Sequence, residues 1–139
     1  MTSRQIRVVL DALEKVATQV IRKLVLDIVA NLKRAPSQGG TPVDTGWARA
    51  NWIPVIGTSS RAQTLRPDDE GDARAQAAQV AAQGESAVAA IATSYRVEQG
   101  KVVIANNVPY IVRLNEGSSR QAPAGFVQAA IVTAVKALR

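Results

Sequence analysis

An apolar periodicity at the start of the chain constrains the fold more than any other feature of the sequence. Over residues 4–34, apolar residues recur at intervals of three and four, the pattern of one long amphipathic helix. These positions are Ile6, Val9, Leu10, Leu13, Val16, Ala17, Val20, Ile21, Leu24, Ile28 and Leu32. Ser3 is suited to cap this helix, and Pro36 stops it. The helix is longer than a small core needs, so we expect its extra apolar surface either to be wrapped by its own domain or to contact a neighbouring molecule.

The rest of the chain predicts short strands and helices. The predicted elements are a helical turn over residues 46–51, a strand over 51–57, a strand, turn and strand over 95–106 around Gly100, a short helix over 109–114 and a last helix over 124–138. Pro54 interrupts the first strand, which places that strand at a sheet edge or beside a bulge. The predicted fold class is α+β, with the long N-terminal helix and the C-terminal helix packed on a small, mainly antiparallel sheet.

Residues 58–93 differ in composition from the rest of the chain. A polar stretch containing Asp68, Asp69 and Asp72 leads into an Ala- and Gln-rich run, which predicts a helix from Ala73 that resumes after Gly84. The acidic stretch lacks the spacing of a calcium-binding loop, which favours a solvated helix start. We expect a single domain over residues 1–139, with a variable helical and loop excursion at about 58–93.

The chain contains neither cysteine nor histidine. This excludes thiol nucleophiles, structural zinc sites and imidazole general bases, and leaves carboxylates, lysines and hydroxyls. No apolar run reaches about 18 residues, and the charged start is unlike a signal peptide, so we expect neither a membrane span nor secretion. Most enzyme chemistries are therefore excluded, and the remaining groups could support an aspartic hydrolase or a hard-cation site but little else.

The charge of the chain is unevenly distributed. The net charge is +6, with seven basic and three acidic residues in 1–34, four and six in the middle, and six and two in 96–139. Basic ends and an acidic middle suit contact with nucleic acid or with acidic neighbours, although solvated basic helix faces are common. A basic nucleic-acid-binding module is therefore one alternative function.

One local match to an enzyme motif is Asp44-Thr45-Gly46. Aspartic proteases carry Asp-Thr-Gly, and the small type uses one copy in each subunit of a homodimer. Here Trp47 and Arg49 follow the motif, where a bulky ring and a cation would crowd a carboxylate pair. An aspartic hydrolase using Asp44 is thus a remote alternative to a cap and turn role.

Two blocks of the sequence are dense in residues that specify backbone geometry. Residues 41–52 read Thr-Pro-Val-Asp-Thr-Gly-Trp-Ala-Arg-Ala-Asn-Trp, and residues 106–127 contain Asn-Asn-Val-Pro-Tyr, Leu-Asn-Glu-Gly-Ser-Ser and Gln-Ala-Pro-Ala-Gly-Phe-Val. The loop over 117–125 lacks the lysine and spacing of a P-loop, so it is either a connector or a surface that binds a partner. In this order the two blocks resemble the tail-component and neck proteins of long-tailed bacteriophages, including the minor tail protein Z group of lambda-like phages.

The resemblance implies a non-enzymatic virion structural protein of the neck or tail-completion type, which needs no cofactor or metal and takes no small-molecule substrate. It would be made in the host bacterial cytoplasm and work as a ring of copies at or near the head–tail junction. Its implied partners are copies of itself and the neighbouring head–tail connector and tail terminator or tail-tube proteins, without a membrane. The assembly residues expected from the two blocks are Asp44, Gly46, Trp47, Arg49, Trp52, Asn107, Pro109, Tyr110, Glu116, Gly117, Ser118, Arg120, Gln121 and Pro123.

A ring around the genome channel would place basic residues next to DNA. Such contacts with packaged double-stranded DNA are expected to be weak and salt-dependent, because tight binding would obstruct genome passage. The candidate channel-facing residues are Arg22, Lys23, Arg113 and Arg120.

Overall fold

The long predicted helix is present and begins one residue earlier than expected. The computed structural model describes residues 1–43, 46–57 and 73–138. In it α1 spans Ser3–Leu32 and is followed by a 3₁₀ turn, Pro36–Gln38. The prediction that Ser3 is the cap was wrong: Thr2 is the N-cap, because its hydroxyl accepts from the Gln5 amide while the Gln5 side chain accepts from the Thr2 amide.

Two short strands form a sheet within the described part of the chain. β1 (Ile53–Ile56) pairs antiparallel with β2 (Val102–Ala105), with Ile53 opposite Ala105 and Pro54 opposite Ile104. Each strand of a two-stranded ladder has a free edge, so the missing amide of Pro54 is tolerated there. The short helix α2, Trp47–Ala50, precedes β1.

The predicted strand before Gly100 was wrong. Val97–Gln99 forms a 3₁₀ turn, in which the Arg96 amide donates to the Gln99 side chain. The Val97 amide donates to the Thr18 hydroxyl of α1 at 3.0 Å, and the buried Tyr95 donates its hydroxyl to the Gly100 carbonyl. These partners satisfy the backbone that a strand would have paired with a neighbouring strand.

The Ala-rich region forms one continuous helix, α3, over Ala73–Ser94. The predicted interruption at Gly84 does not occur, since α3 packs against α1, α2 and β1 along its length. A Cβ at Gly84 would lie 3.3 Å from the Trp52 carbonyl oxygen. Glycine therefore lets α3 approach β1 closely, and packing compensates the roughly 1 kcal/mol helix cost of glycine.

The remaining helices are α4 (Ile111–Asn115) and α5 (Phe126–Lys136). α5 packs chiefly against α1, and Phe126 and Ala130 join Leu32, Trp52 and Ala122 in one core cluster. Ala134 of α5 is also buried, whereas Val135 is half exposed. The α+β class, with two terminal helices and a small antiparallel sheet, is confirmed.

The N-terminal half of α1 is not covered by the rest of the described chain. Residues 1–16 are all exposed, whereas Val25, Val29 and Leu32 are buried against the body. No described helix is both long and apolar enough to cross a membrane. The apolar periodicity of α1 therefore continues beyond the surface that the fold itself buries.

Candidate assembly interface

The two sequence blocks that carry the phage resemblance meet in space. The Val43 amide donates to Oε1 of Gln121 at 2.8 Å, and Nε2 of Gln121 donates to the Val43 carbonyl at 2.7 Å. This pair joins residues 78 positions apart, and it uses both ends of one side-chain amide. We call this contact region, formed by the described residues of 41–52 and by 106–127, the block junction.

A buried hydrogen-bond relay anchors the first block. Nε1 of Trp52 donates to the Thr41 hydroxyl at 2.8 Å, and that hydroxyl donates to the Leu32 carbonyl at 2.7 Å. Thr41 is fully buried, and Trp52 packs with Leu32 and Phe126. The relay fixes the first block to the end of α1 and to the core beneath α5.

Asparagine side chains order the second block. Asn106 donates to the Ala48 carbonyl at 2.8 Å and accepts from the Val108 amide at 3.1 Å, which ties the exit of β2 to α2. Asn115 accepts from the Val127 amide at 3.0 Å, and its own carbonyl accepts from the Gly125 amide at 2.7 Å. The loop over residues 116–124 is thus clamped at both ends.

Three glycines of the junction have left-handed backbone conformations. Gly46, which precedes α2, has φ +88°, Gly117 has φ +96° and Gly125, which precedes α5, has φ +85°. A Cβ at Gly117 would also lie 3.3 Å from the Ala124 Cβ. These turns set the directions of α2, α5 and the loop between α4 and α5.

The predicted assembly residues divide between core and surface. Trp47 and Trp52 are buried in the chain's own core, Gly46, Arg49 and Asn107 are half-buried, and Asp44 lies outside the described residues. The exposed members are Pro109, Tyr110, Glu116, Gly117, Ser118, Arg120, Gln121 and Pro123. The second block therefore supplies the accessible face of the junction, and the tryptophans support it from inside.

The four cations proposed to face DNA differ in their availability. Nε of Arg22 donates to the Tyr95 carbonyl at 2.7 Å, and Nζ of Lys23 pairs with Asp27 at 2.7 Å. Arg113 in α4 and Arg120 in the following loop are exposed. The second block thus presents two solvent-facing cations, whereas those of α1 have partners in their own chain.

A cationic cleft beside α3 is absent from the sequence-based expectations. Lys33, Arg49, Arg74 and Glu85 line a cavity of about 420 Å³ whose other walls include alanines of α3. The pKa of Lys33 is lowered, chiefly because burial disfavours its charged form and then because Arg49 repels it, while Glu85 acts in the opposite direction. Lys33 and Arg49 are far apart in sequence, so no local pattern signals this cleft.

An apolar stripe on α1 is exposed among the described residues. It consists of Ile6, Val9, Leu10, Leu13, Val16 and Val20, all between 37% and 60% exposed. α5 exposes a second apolar face through Ile131, Val132 and Val135, between 42% and 52% exposed. We call these surfaces the α1 stripe and the α5 face. The α1 periodicity indicated apolar surface of this kind, but it could not show which turns the body leaves uncovered.

Within the described part of the chain, no cluster of three or more acidic side chains is arranged to hold a metal ion. No protein-family model matches the sequence, and the searches of curated proteins and of solved structures likewise found no match.

Proposed function

We propose that the chain is a non-enzymatic structural subunit of a long-tailed phage virion, which forms a ring at or near the head–tail junction as a neck or tail-completion protein. Its partners in this proposal are copies of itself and the adjoining connector, terminator or tail-tube proteins. The exposed Arg113 and Arg120 are the candidates for weak contact with packaged DNA.

The observation that carries the proposal is the convergence of the two resembling blocks at the block junction. The Val43–Gln121 pair is long-range, and Trp52 of the first block shares a core cluster with Ala122 and Phe126 of the second. Two segments that contact each other in one structural unit have a physical reason to occur in the same sequence. The contact therefore favours one resemblance carried by both blocks over two unrelated local matches.

The uncovered apolar surface also supports an assembly role. A contiguous exposed apolar face usually marks an interaction site, because leaving it in water forgoes roughly 25 cal/mol for each Å² that a partner could bury. The α1 stripe is such a face on a helix that projects beyond its own core. A subunit that assembles can bury this face against a neighbour, whereas an isolated monomer leaves it in water.

The experiment that tests this function is deletion of the reading frame from the genome that encodes it, followed by negative-stain imaging of the lysate. Full heads separated from tails, or tails of abnormal length, are expected, and complementation in trans should restore joined particles. Normal infectious particles would overturn the proposal. Salt-sensitive DNA binding by the free protein would then favour the nucleic-acid-binding alternative.

A further inference from the structure

We propose that the α1 stripe binds the α5 face of a second copy of this chain, so that the two surfaces together form a head-to-tail subunit contact. The choice of a second copy as occupant rests on the proposed ring-forming function. The positions, exposures and packing of the two helices select the surfaces.

The first step is the spacing and chemistry of the α1 stripe. Ile6, Val9, Leu13, Val16 and Val20 follow alternating intervals of three and four, which is the spacing of a seam that packs against another helix. The residues flanking this seam are Gln5, Leu10, Ala12, Ala17 and Gln19, none of them charged. A helix docking here therefore desolvates no ion along the seam.

The second step is that the stripe continues a surface which already binds α5. In the same chain, α5 packs on the C-terminal part of α1, where Asn31 donates to the Ala130 carbonyl at 3.1 Å and Ile28 joins the cluster of Phe126 and Ala130. Counting back from Ile28 in steps of four reaches Leu24 and Val20, which lies on the stripe. One side of α1 is thus occupied by α5 at its C-terminal end and open toward its N-terminus.

The third step is that α5 has a second apolar side. Its inward residues Phe126, Ala130 and Ala134 are buried, whereas Ile131, Val132 and Val135 face outward. One chain therefore carries two different apolar faces that the rest of its described residues leave uncovered. If the α1 stripe paired with itself, association would stop at two copies and leave the α5 face exposed, whereas stripe-to-face contact uses both and can close into a ring.

The size of the contact predicts its strength. The stripe from Ile6 to Val20 is about 21 Å long and one helix, or about 10 Å, wide, which gives an area on the order of 200 Å² on each partner. A stable pair buries roughly 800 Å² on each side. We therefore expect weak, concentration-dependent association of free subunits, and ring closure must add further contacts.

Covalent trapping suits a weak contact, and the chain has no cysteine that would interfere. Purified Leu13→Cys and Val132→Cys proteins are oxidised with a mild oxidant, each alone and as a mixture. A disulfide-linked dimer is expected chiefly in the mixture. The matched control mixes Val8→Cys, in place of Leu13→Cys, with Val132→Cys. Val8 is exposed on α1 outside the stripe, so this mixture should give at least tenfold less disulfide-linked dimer. Strong linkage of Leu13→Cys alone, or no linkage in the mixture, would overturn the proposal.

A second measurement does not depend on sulfur geometry. Sedimentation velocity across a concentration series should show association of the wild type and of Val8→Glu, but not of Leu13→Glu, with equal helix content by circular dichroism. Association that persists in Leu13→Glu, or a wild type that stays monomeric throughout, would overturn the contact. The deletion phenotype tests the virion role separately. If the deletion gave normal, joined particles while the disulfide-linked dimer still formed in the mixture, the proposed function would be wrong and this contact would still be supported.

Discussion

At the scale of single residues, the Thr41 hydroxyl stabilises the fold through two buried hydrogen bonds. Its hydroxyl is the acceptor for Trp52 and a donor to Leu32, and all three groups are buried. Nothing near Thr41 in the sequence signals this role, because it depends on the return of the chain from α2. We therefore regard the relay as an outcome of tertiary packing.

Thr41→Val should lower the free energy of unfolding by about 2–3 kcal/mol, because it leaves the buried Trp52 donor without its acceptor. Thr41→Ser should retain most of the stability. Thr93→Val is the control, since the exposed Thr93 hydroxyl bonds only to its own helix, and its effect should stay within about 0.5 kcal/mol. Urea unfolding measures all three, and equal losses for Thr41→Val and Thr93→Val would contradict the relay.

Gly117 offers a second residue-scale prediction. Gly117→Ala should destabilise the protein by about 2 kcal/mol, because alanine is strained at φ +96° and its Cβ would also crowd Ala124. Gly39→Ala has nearly the same φ, +91°, with no atom within 4 Å of the new Cβ, and should cost only about 1 kcal/mol. Thermal unfolding of the two variants separates backbone strain from crowding, and the reverse order would refute the packing of the loop on Ala124.

Two carboxylates, Glu14 of α1 and Glu98 of the Val97–Gln99 turn, should make the contact between these two elements depend on pH. The pKa of Glu14 is raised above its ordinary value, chiefly by a hydrogen bond with the Glu98 side chain, then by slight desolvation and by repulsion from Glu98 and Asp11. A raised folded-state pKa means that this stabilisation is present below the unfolded pKa and is lost as pH rises through the folded pKa. Glu98→Gln should therefore raise the Tm slightly at pH 7 and leave it unchanged or lower at pH 4. Because Glu14 is solvent-exposed, 1 M salt should reduce the pH 7 difference, and a larger gain at pH 4 would contradict the assignment.

At the scale of elements, the sequence predicted those whose signals are local. α1 was expected from its apolar periodicity and from Pro36, α4 and α5 correspond to the helices predicted over 109–114 and 124–138, and β1 was expected despite Pro54. The missed features depend on tertiary partners. α3 runs through Gly84 because β1 packs there, and the turn at Val97 forms because Thr18 lies opposite its amide. The block junction itself was not predicted, since Gln121 has no local feature that points to Val43.

At the scale of the whole molecule, the buried and the uncovered surfaces of α1 lie in different parts of the helix. The body buries Val25, Val29 and Leu32, and the Val97 amide donates to the Thr18 hydroxyl near the middle of the helix. The turns before Asp11 have no buried residue. The N-terminal turns are thus available to a partner with little consequence for the isolated subunit.

Deletion of residues 2–10 should separate the contribution of α1 to stability from its proposed role in subunit association. We expect the free energy of unfolding to fall by no more than about 1 kcal/mol, because the removed residues are exposed and a new helix start frays at small cost. Association should weaken at the same time, since the deletion removes Ile6, Val9 and Leu10 from the α1 stripe. Paired urea unfolding and sedimentation velocity measure the two effects, and Leu32→Ala serves as the opposite case, with an expected loss of about 2–5 kcal/mol through a core cavity. A truncated protein that unfolds as readily as Leu32→Ala would mean that the projecting turns belong to the folding core, and one that associates like the wild type would place the subunit contact elsewhere.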